Sequence, residues 1–146
     1  MENVLISACL LGIPCRYDGK SKTKIDPSTL EELKKRYNLI PICPEIYGGL
    51  PTPREGSEIV GNRVLMKDGT DVTENFRKGA EVTLQLAHFF GCRIAIMKER
   101  SPSCGKGVIH DGTFSGALTE GNGISTELLM KEGICVLGET EIEALI

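Results

Sequence analysis

The chain has 146 residues, with 17 Lys plus Arg against 20 Asp plus Glu and a formal net charge of −3 at pH 7. That is the length of one domain with one sizeable core, and 40% hydrophobic with 25% charged residues excludes disordered, collagen-like and coiled-coil chains. A pI near 5.5 without a basic block argues against duplex nucleic acid or an anionic membrane as partner; no Trp and 5% aromatics leave no stacking platform for single strands.

Val4-Leu5-Ile6 opens an apolar run reaching Cys9, short and branched enough for a buried strand. Asp26 then reads as the N-cap of a helix with Pro27 in its first position. Leu30, Leu33 and Tyr37 share one face of it, with Glu31 and Glu32 early and Lys34, Lys35 and Arg36 late, as the helix dipole favours. Leu39-Ile40-Pro41-Ile42 forms a second strand ending at Cys43, so the first 43 residues read as a right-handed βαβ unit. Residues 44–58 are rich in Pro and Gly and read as an ordered loop. Ile59-Val60 and Val64-Leu65 around Gly61-Asn62 predict a small hairpin.

Asp71 or Thr73 caps a long helix to about Phe90, with Phe76, Ala80, Leu84 and Ala87 on one face. Gly91 closes it, and residues 93–97 give a third core strand. The Gly- and Ser-rich residues 101–123 read as a second long loop. A helix to Lys131, a stop at Gly133 and a fourth strand over 134–137 follow, and Thr140 with Glu143 suggests a capping box for a short final helix. The sum is a single α/β domain over 1–146, a three-layer, Rossmann-like sandwich with a small, mostly parallel sheet and a small hairpin.

No apolar run approaches the roughly 20 residues of a membrane span. Ile6-Ser7-Ala8-Cys9 imitates a lipoprotein cleavage box, yet a signal peptide needs a cationic start and about 7–15 apolar residues before the site. The chain starts Met1-Glu2-Asn3, with three apolar residues, Val4 to Ile6, ahead of the box. A cytoplasmic location is the expectation, and there the six Cys are not disulfides, because thiols stay reduced.

In an open parallel sheet, ligands bind outside the carboxyl ends of the strands. Cys9 follows the first strand, Cys43 the second, and Cys104 sits in the loop after the third, so all three converge on one edge. Cys92 enters its strand from the opposite edge and Cys135 lies inside the last strand; both read as small buried hydrophobes. Cys15 is ambiguous. Three thiolates without a convergent His suit a soft metal, zinc or iron–sulfur. Spacing alone is a weak signal, since no C-x-x-C pair exists, and three unrelated buried thiols is the competing reading. The flanks add weight: Glu45 lies two residues from Cys43, and Ser101 and Ser103 precede Cys104. A carboxylate in a half-dry cleft beside a metal can act as general acid or base. Arg16, Arg54, Lys98 and Lys106 lie in or near these loops, where surface charges are also common.

Other templates fail. A phosphatase loop needs C-x5-R, and Arg16 arrives one residue late after Cys9. Gly121-Asn122-Gly123 lacks the third Gly of a dinucleotide fingerprint. Cys104-Gly105-Lys106-Gly107 is not a Walker loop, and His88 and His110 have no metal-ligand spacing.

Taken together, Cys9-Leu10-Leu11-Gly12, Arg16-Tyr17-Asp18-Gly19, Cys43-Pro44-Glu45, Thr52-Pro53-Arg54, Ser101-Pro102-Ser103-Cys104-Gly105 and Asp111-Gly112-Thr113-Phe114-Ser115-Gly116 resemble the thiouracil desulfidase family, over nearly the whole chain and in order. The resemblance implies a [4Fe–4S] cluster held by three Cys, here Cys9, Cys43 and Cys104, with one iron open. It implies non-redox replacement of C=S by C=O on a small thiolated base, with Glu45 as acid/base and Ser101 as the catalytic Ser, Ser103 being its rival. Arg16 and Arg54 are the candidate substrate contacts. Two alternatives accompany it: a zinc hydrolase of deaminase type with three Cys ligands, lacking the H-x-E and P-C-x-x-C arrangement, and a non-catalytic carrier passing sulfide to an acceptor.

Overall fold

The computed structural model describes residues 1–20 and 25–146. Its frame is a four-stranded sheet in the order β2-β1-β5-β8, built from β1 (Glu2–Ser7), β2 (Tyr37–Ile42), β5 (Ile94–Met97) and β8 (Cys135–Gly138). Every neighbouring pair is parallel. Both faces are covered, as a parallel sheet requires, and β1 shows why its sequence is continuously apolar. Val4 and Ile6 face one layer, packed with Leu33 of α1 (Pro27–Arg36) and with Ile142. Leu5 faces the other, with Ala87 of α3 (Thr73–Phe89) and Leu129 of α4 (Ile124–Lys131). This is the expected three-layer α/β sandwich.

Asp26 caps α1 as expected, its side chain accepting from the Thr29 N–H at 3.2 Å, with Pro27 in the first position. Tyr37 is the first residue of β2 rather than the end of that helix face. The first strand stops at Ser7, and a 3-10 turn over Ala8–Leu11 carries Cys9. The first βα crossover thus uses one face and the later ones the other, placing the switch in strand order between β1 and β5.

Other differences have local causes. The 44–58 stretch opens with a one-turn helix, α2 (Pro44–Tyr47), because Pro44 suits a helix start. The expected hairpin forms from β3 (Ser57–Val60) and β4 (Arg63–Met66) around Gly61-Asn62. Helix α3 has Val72 at its N-cap; Asp71 instead accepts from the Thr73 N–H at 2.9 Å, and Thr73 Oγ1 accepts from the Val64 N–H at 2.8 Å. Residues 101–123 are not a plain loop. They contain a second hairpin, β6 (Val108–His110) with β7 (Leu118–Glu120), whose three-residue strands fall below what alternation can signal. The final element is a 3-10 helix over Glu139–Leu145, and Glu141 rather than Glu143 reaches back to its start, Oε1 accepting from the Gly138 N–H at 2.9 Å.

Candidate active site

The carboxyl edge of the sheet gathers the three thiols. Cys9 follows β1, Cys43 precedes α2 at the end of β2, and Cys104 lies in the turn after β5. All three line a cavity of about 410 Å³ beside the switch in strand order. Cys15 lines the same cavity, with its carbonyl oxygen 3.8 Å from Cys43 Sγ. Cys92 is buried at the entrance of β5, on the far edge. Cys135 is exposed, against the expectation of a buried thiol, because β8 is the outer strand of the sheet.

Burial pushes the Cys104 thiol up to about 12; the neighbouring Ser7 and Ser103 hydroxyls oppose this, and the charges of Cys9 and Cys43 add to it. Burial also pushes Cys9 up to about 11, against the cations Lys98 and Arg16. Cys43 is held below the usual thiol range, first by a hydrogen bond from Cys15, which is itself pushed up by the same contact. Protonated, buried thiols are poor nucleophiles. A metal removes the proton on coordination, so the donor chemistry suits a soft metal held in a partly dry site. Among the described residues no group of three His, Cys, Asp or Glu is set to hold a metal ion.

Glu45 faces this cavity from α2. Arg54 Nε donates to its Oε1 at 3.0 Å, and Ser103 Oγ donates to its Oε2 at 2.8 Å. Ser103 has one hydroxyl hydrogen and two acceptors in reach, Glu45 Oε2 and, at 3.6 Å, Cys104 Sγ; the much nearer oxygen takes it. Ser101 Oγ, 3.3 Å from Ser103 Oγ, is then the donor of that contact, while its own oxygen accepts from the Cys104 N–H at 2.7 Å. Ser101, Ser103 and Glu45 form one directed hydrogen-bond chain ending on the carboxylate.

The two candidate arginines differ. Arg54 is 3% exposed at its side chain; besides Glu45 it donates to Pro51 O, Thr52 Oγ1 and Cys15 O, each at 3.1 Å. It is a brace joining α2 to the Cys15 loop. Arg16 lies over the Tyr17 ring at 5.7 Å and lines the cavity. Lys98 also lines it and pairs with Glu139 at 2.9 Å, whereas Lys106 pairs with Glu141 at 2.9 Å and is not part of the lining. His110 and Phe114, which the sequence left in a long loop, reach the cavity from the β6–β7 hairpin. The one sequence signal there was the Asp111-Gly112 turn pair, between segments too short to read as strands.

The sequence model of 2-thiouracil desulfurase matches residues 4–141. The chain belongs to that family. It is 38% identical over 153 residues to the uncharacterized protein YbbK of Bacillus subtilis (strain 168), covering 98% of this chain and 99% of the relative. Among solved structures it is similar to the [4Fe-4S]-dependent thiouracil desulfidase TudS, with a TM-score of 0.93 and 44% identity over 99% of this chain and 95% of that one. The family is a family of enzymes, and the fold seen here is the fold of that desulfidase.

Proposed function

We propose that this enzyme removes sulfur from a thiolated nucleobase such as 2-thiouracil, without net redox change, at a [4Fe–4S] cluster held by Cys9, Cys43 and Cys104. The observation that carries the reading is Glu45, fixed by Arg54 and Ser103 at the cavity that the three thiols line. Family membership and the likeness to a [4Fe-4S]-dependent desulfidase support it, as does the soft donor set. Cys9, Cys43 and Cys104 would hold the cluster, and a cluster with only three protein ligands would supply a Lewis acid for the thiocarbonyl sulfur.

The protein's own part is proton handling and placement. Glu45 takes a proton from water as the water oxygen adds to the thiocarbonyl carbon and returns it to the sulfur; as the C–S bond breaks and C=O forms, the remaining O–H proton passes through the same carboxylate to the departing sulfur, so the sum is C=S plus H₂O giving C=O plus H₂S. Arg54 holds the carboxylate in place, and the Ser101–Ser103 chain presents a hydroxyl proton to its other oxygen. Arg16, at the cavity wall, is the candidate contact for substrate. Anaerobic turnover of free 2-thiouracil by the reconstituted protein, with uracil and sulfide formed in equal amounts, is the test. A reconstituted iron–sulfur protein that produces neither is a carrier, and the proposal fails.

A further inference from the structure

Cys15 is the thiol at the cavity that the chemistry above leaves without a role. Cys9, Cys15, Cys43 and Cys104 all line that cavity, but they differ in access. Cys9 and Cys104 are 8% and 5% exposed, whereas Cys15 and Cys43 are only half-buried. The two accessible thiols are also neighbours. Cys43 Sγ lies 3.8 Å from Cys15 O, across 28 residues of chain, and the two side chains share a hydrogen bond. The surrounding backbone holds them there. Arg54 Nη2 donates to Cys15 O at 3.1 Å, while its Nε holds Glu45 at 3.0 Å, two residues beyond Cys43. The Cys15 N–H donates to Ile13 O at 2.8 Å, and Cys43 O accepts from the Tyr47 N–H at 3.1 Å. One buried guanidinium therefore keeps the two thiol-bearing segments side by side.

We propose that Cys15 and Cys43 form a redox-active pair: when Cys43 holds no metal, a peroxide oxidises the two thiols to a Cys15–Cys43 disulfide, which keeps Cys43 recoverable. Cys43 sulfur attacks the O–O bond of hydrogen peroxide, giving a sulfenic acid and a hydroxide that takes up the thiol's proton. Cys15 sulfur then attacks the Cys43 sulfur; S–S forms, S–O breaks, and the Cys15 proton leaves with the hydroxyl as water. The sum is two thiols plus H₂O₂ giving one disulfide plus two H₂O. Without a thiol alongside, a sulfenic acid meets further peroxide and ends as a sulfinic acid, which small thiols do not reverse. The disulfide is reversed by exchange with a small dithiol, which is itself oxidised. The linkage rests on the contact between the two residues; its effect on cluster loading rests on the desulfidase reading, in which Cys43 is a ligand.

The test takes the full chain, freed of metal by a chelator, through hydrogen peroxide, alkylation and tryptic digestion without reduction, followed by mass spectrometry. Cleavage at Arg16, Arg36 and Arg54 puts Cys43 on the fragment 37–54 and both Cys9 and Cys15 on the fragment 1–16. A species joining the two fragments, lighter than their sum by two hydrogens, is expected in the wild type, and its fragmentation is expected to place the bond at Cys15. The same species is expected in Cys9→Ser and not in Cys15→Ser, where Cys43 is expected as the sulfinic acid. After dithiothreitol and anaerobic reconstitution, the peroxide-treated wild type is expected to regain the visible absorbance of a cluster. Peroxide-treated Cys15→Ser is expected to lose most of that absorbance, although the untreated variant gains it normally. Absence of any linked species in the treated wild type overturns the inference, and so does a bond placed at Cys9. A Cys15–Cys43 species in a protein that takes up no cluster supports the pair while the desulfidase reading fails.

Discussion

Ser103 and Glu45, 58 residues apart in the chain, are joined by a 2.8 Å hydrogen bond from hydroxyl to carboxylate. The bond links the loop that follows β5 to the helix that follows β2, and so couples the Cys104 segment to the Cys43 segment. Glu45→Gln keeps the shape and removes the proton chemistry. It is expected to assemble a normal cluster and to lose desulfidation by roughly 10²–10⁴-fold, the usual weight of general acid–base catalysis. Loss of the cluster's visible spectrum in this variant would make Glu45 structural instead.

The serine pair separates by position in the chain of donors. Ser103→Ala leaves Glu45 Oε2 without its donor, and steady-state rates are expected to fall more than in Ser101→Ala. In Ser101→Ala the Cys104 N–H loses its acceptor, but Ser103 still reaches Glu45. Equal losses would place the two hydroxyls in equivalent roles.

Arg54→Ala removes one partner of an ion pair whose side chains are 3% and 15% exposed, and strands the Cys15 carbonyl. Breaking such a pair costs about 3 kcal/mol. For a domain of this size that is a fall in Tm of roughly 6–12 °C, measurable by thermal unfolding. Arg54→Lys restores the charge but cannot reproduce contacts to Glu45, Pro51, Thr52 and Cys15 together, so it is expected to recover only part of the loss.

The cysteines divide into two sets. Ser variants of Cys9, Cys43 or Cys104 are expected to lose the reconstituted cluster spectrum. Variants of Cys15, Cys92 or Cys135 are expected to keep it, and a lost spectrum in Cys15→Ser would put that residue in the ligand set. Exposed Cys135 is expected to react first with a maleimide, with no effect on activity.

Gly79 is expected to reject alanine although it lies inside helix α3, where Ala is normally favoured by about 1 kcal/mol. A Cβ there would stand 2.0 Å from Pro44 O, so it would displace the segment that carries Cys43 and Glu45. Gly79→Ala is expected to lower Tm, and its cluster content after reconstitution is expected to fall with it.

The four core strands were legible because each is a short apolar run, stopped near Cys9, Cys43, Lys98 and Gly138, and strands of a parallel sheet covered on both faces show little alternation to confuse the reading. Convergence of Cys9, Cys43 and Cys104 on one edge followed from their places after those strands. The β6–β7 hairpin was illegible, since its strands are three residues long and are held by contacts with β3 and Arg100 rather than by their own pattern. Cys135 read as buried because a strand in the sequence does not announce that it is the outermost one.

What the sequence determined by itself is what depends on neighbours along the chain: the strand ends, the Asp26 cap of α1, the Gly61-Asn62 turn, and the thiols that close β1 and β2. What tertiary structure alone decided is which groups meet across long separations. Arg54 pairs with Glu45 at the cavity wall, Ser103 rather than Ser101 touches the carboxylate, and His110 reaches the cavity from the second hairpin. A hydrogen bond depends on distances of a few tenths of an ångström and on direction, and such distances are fixed by how the sheet, α2 and the two hairpins pack together, not by any spacing along the chain.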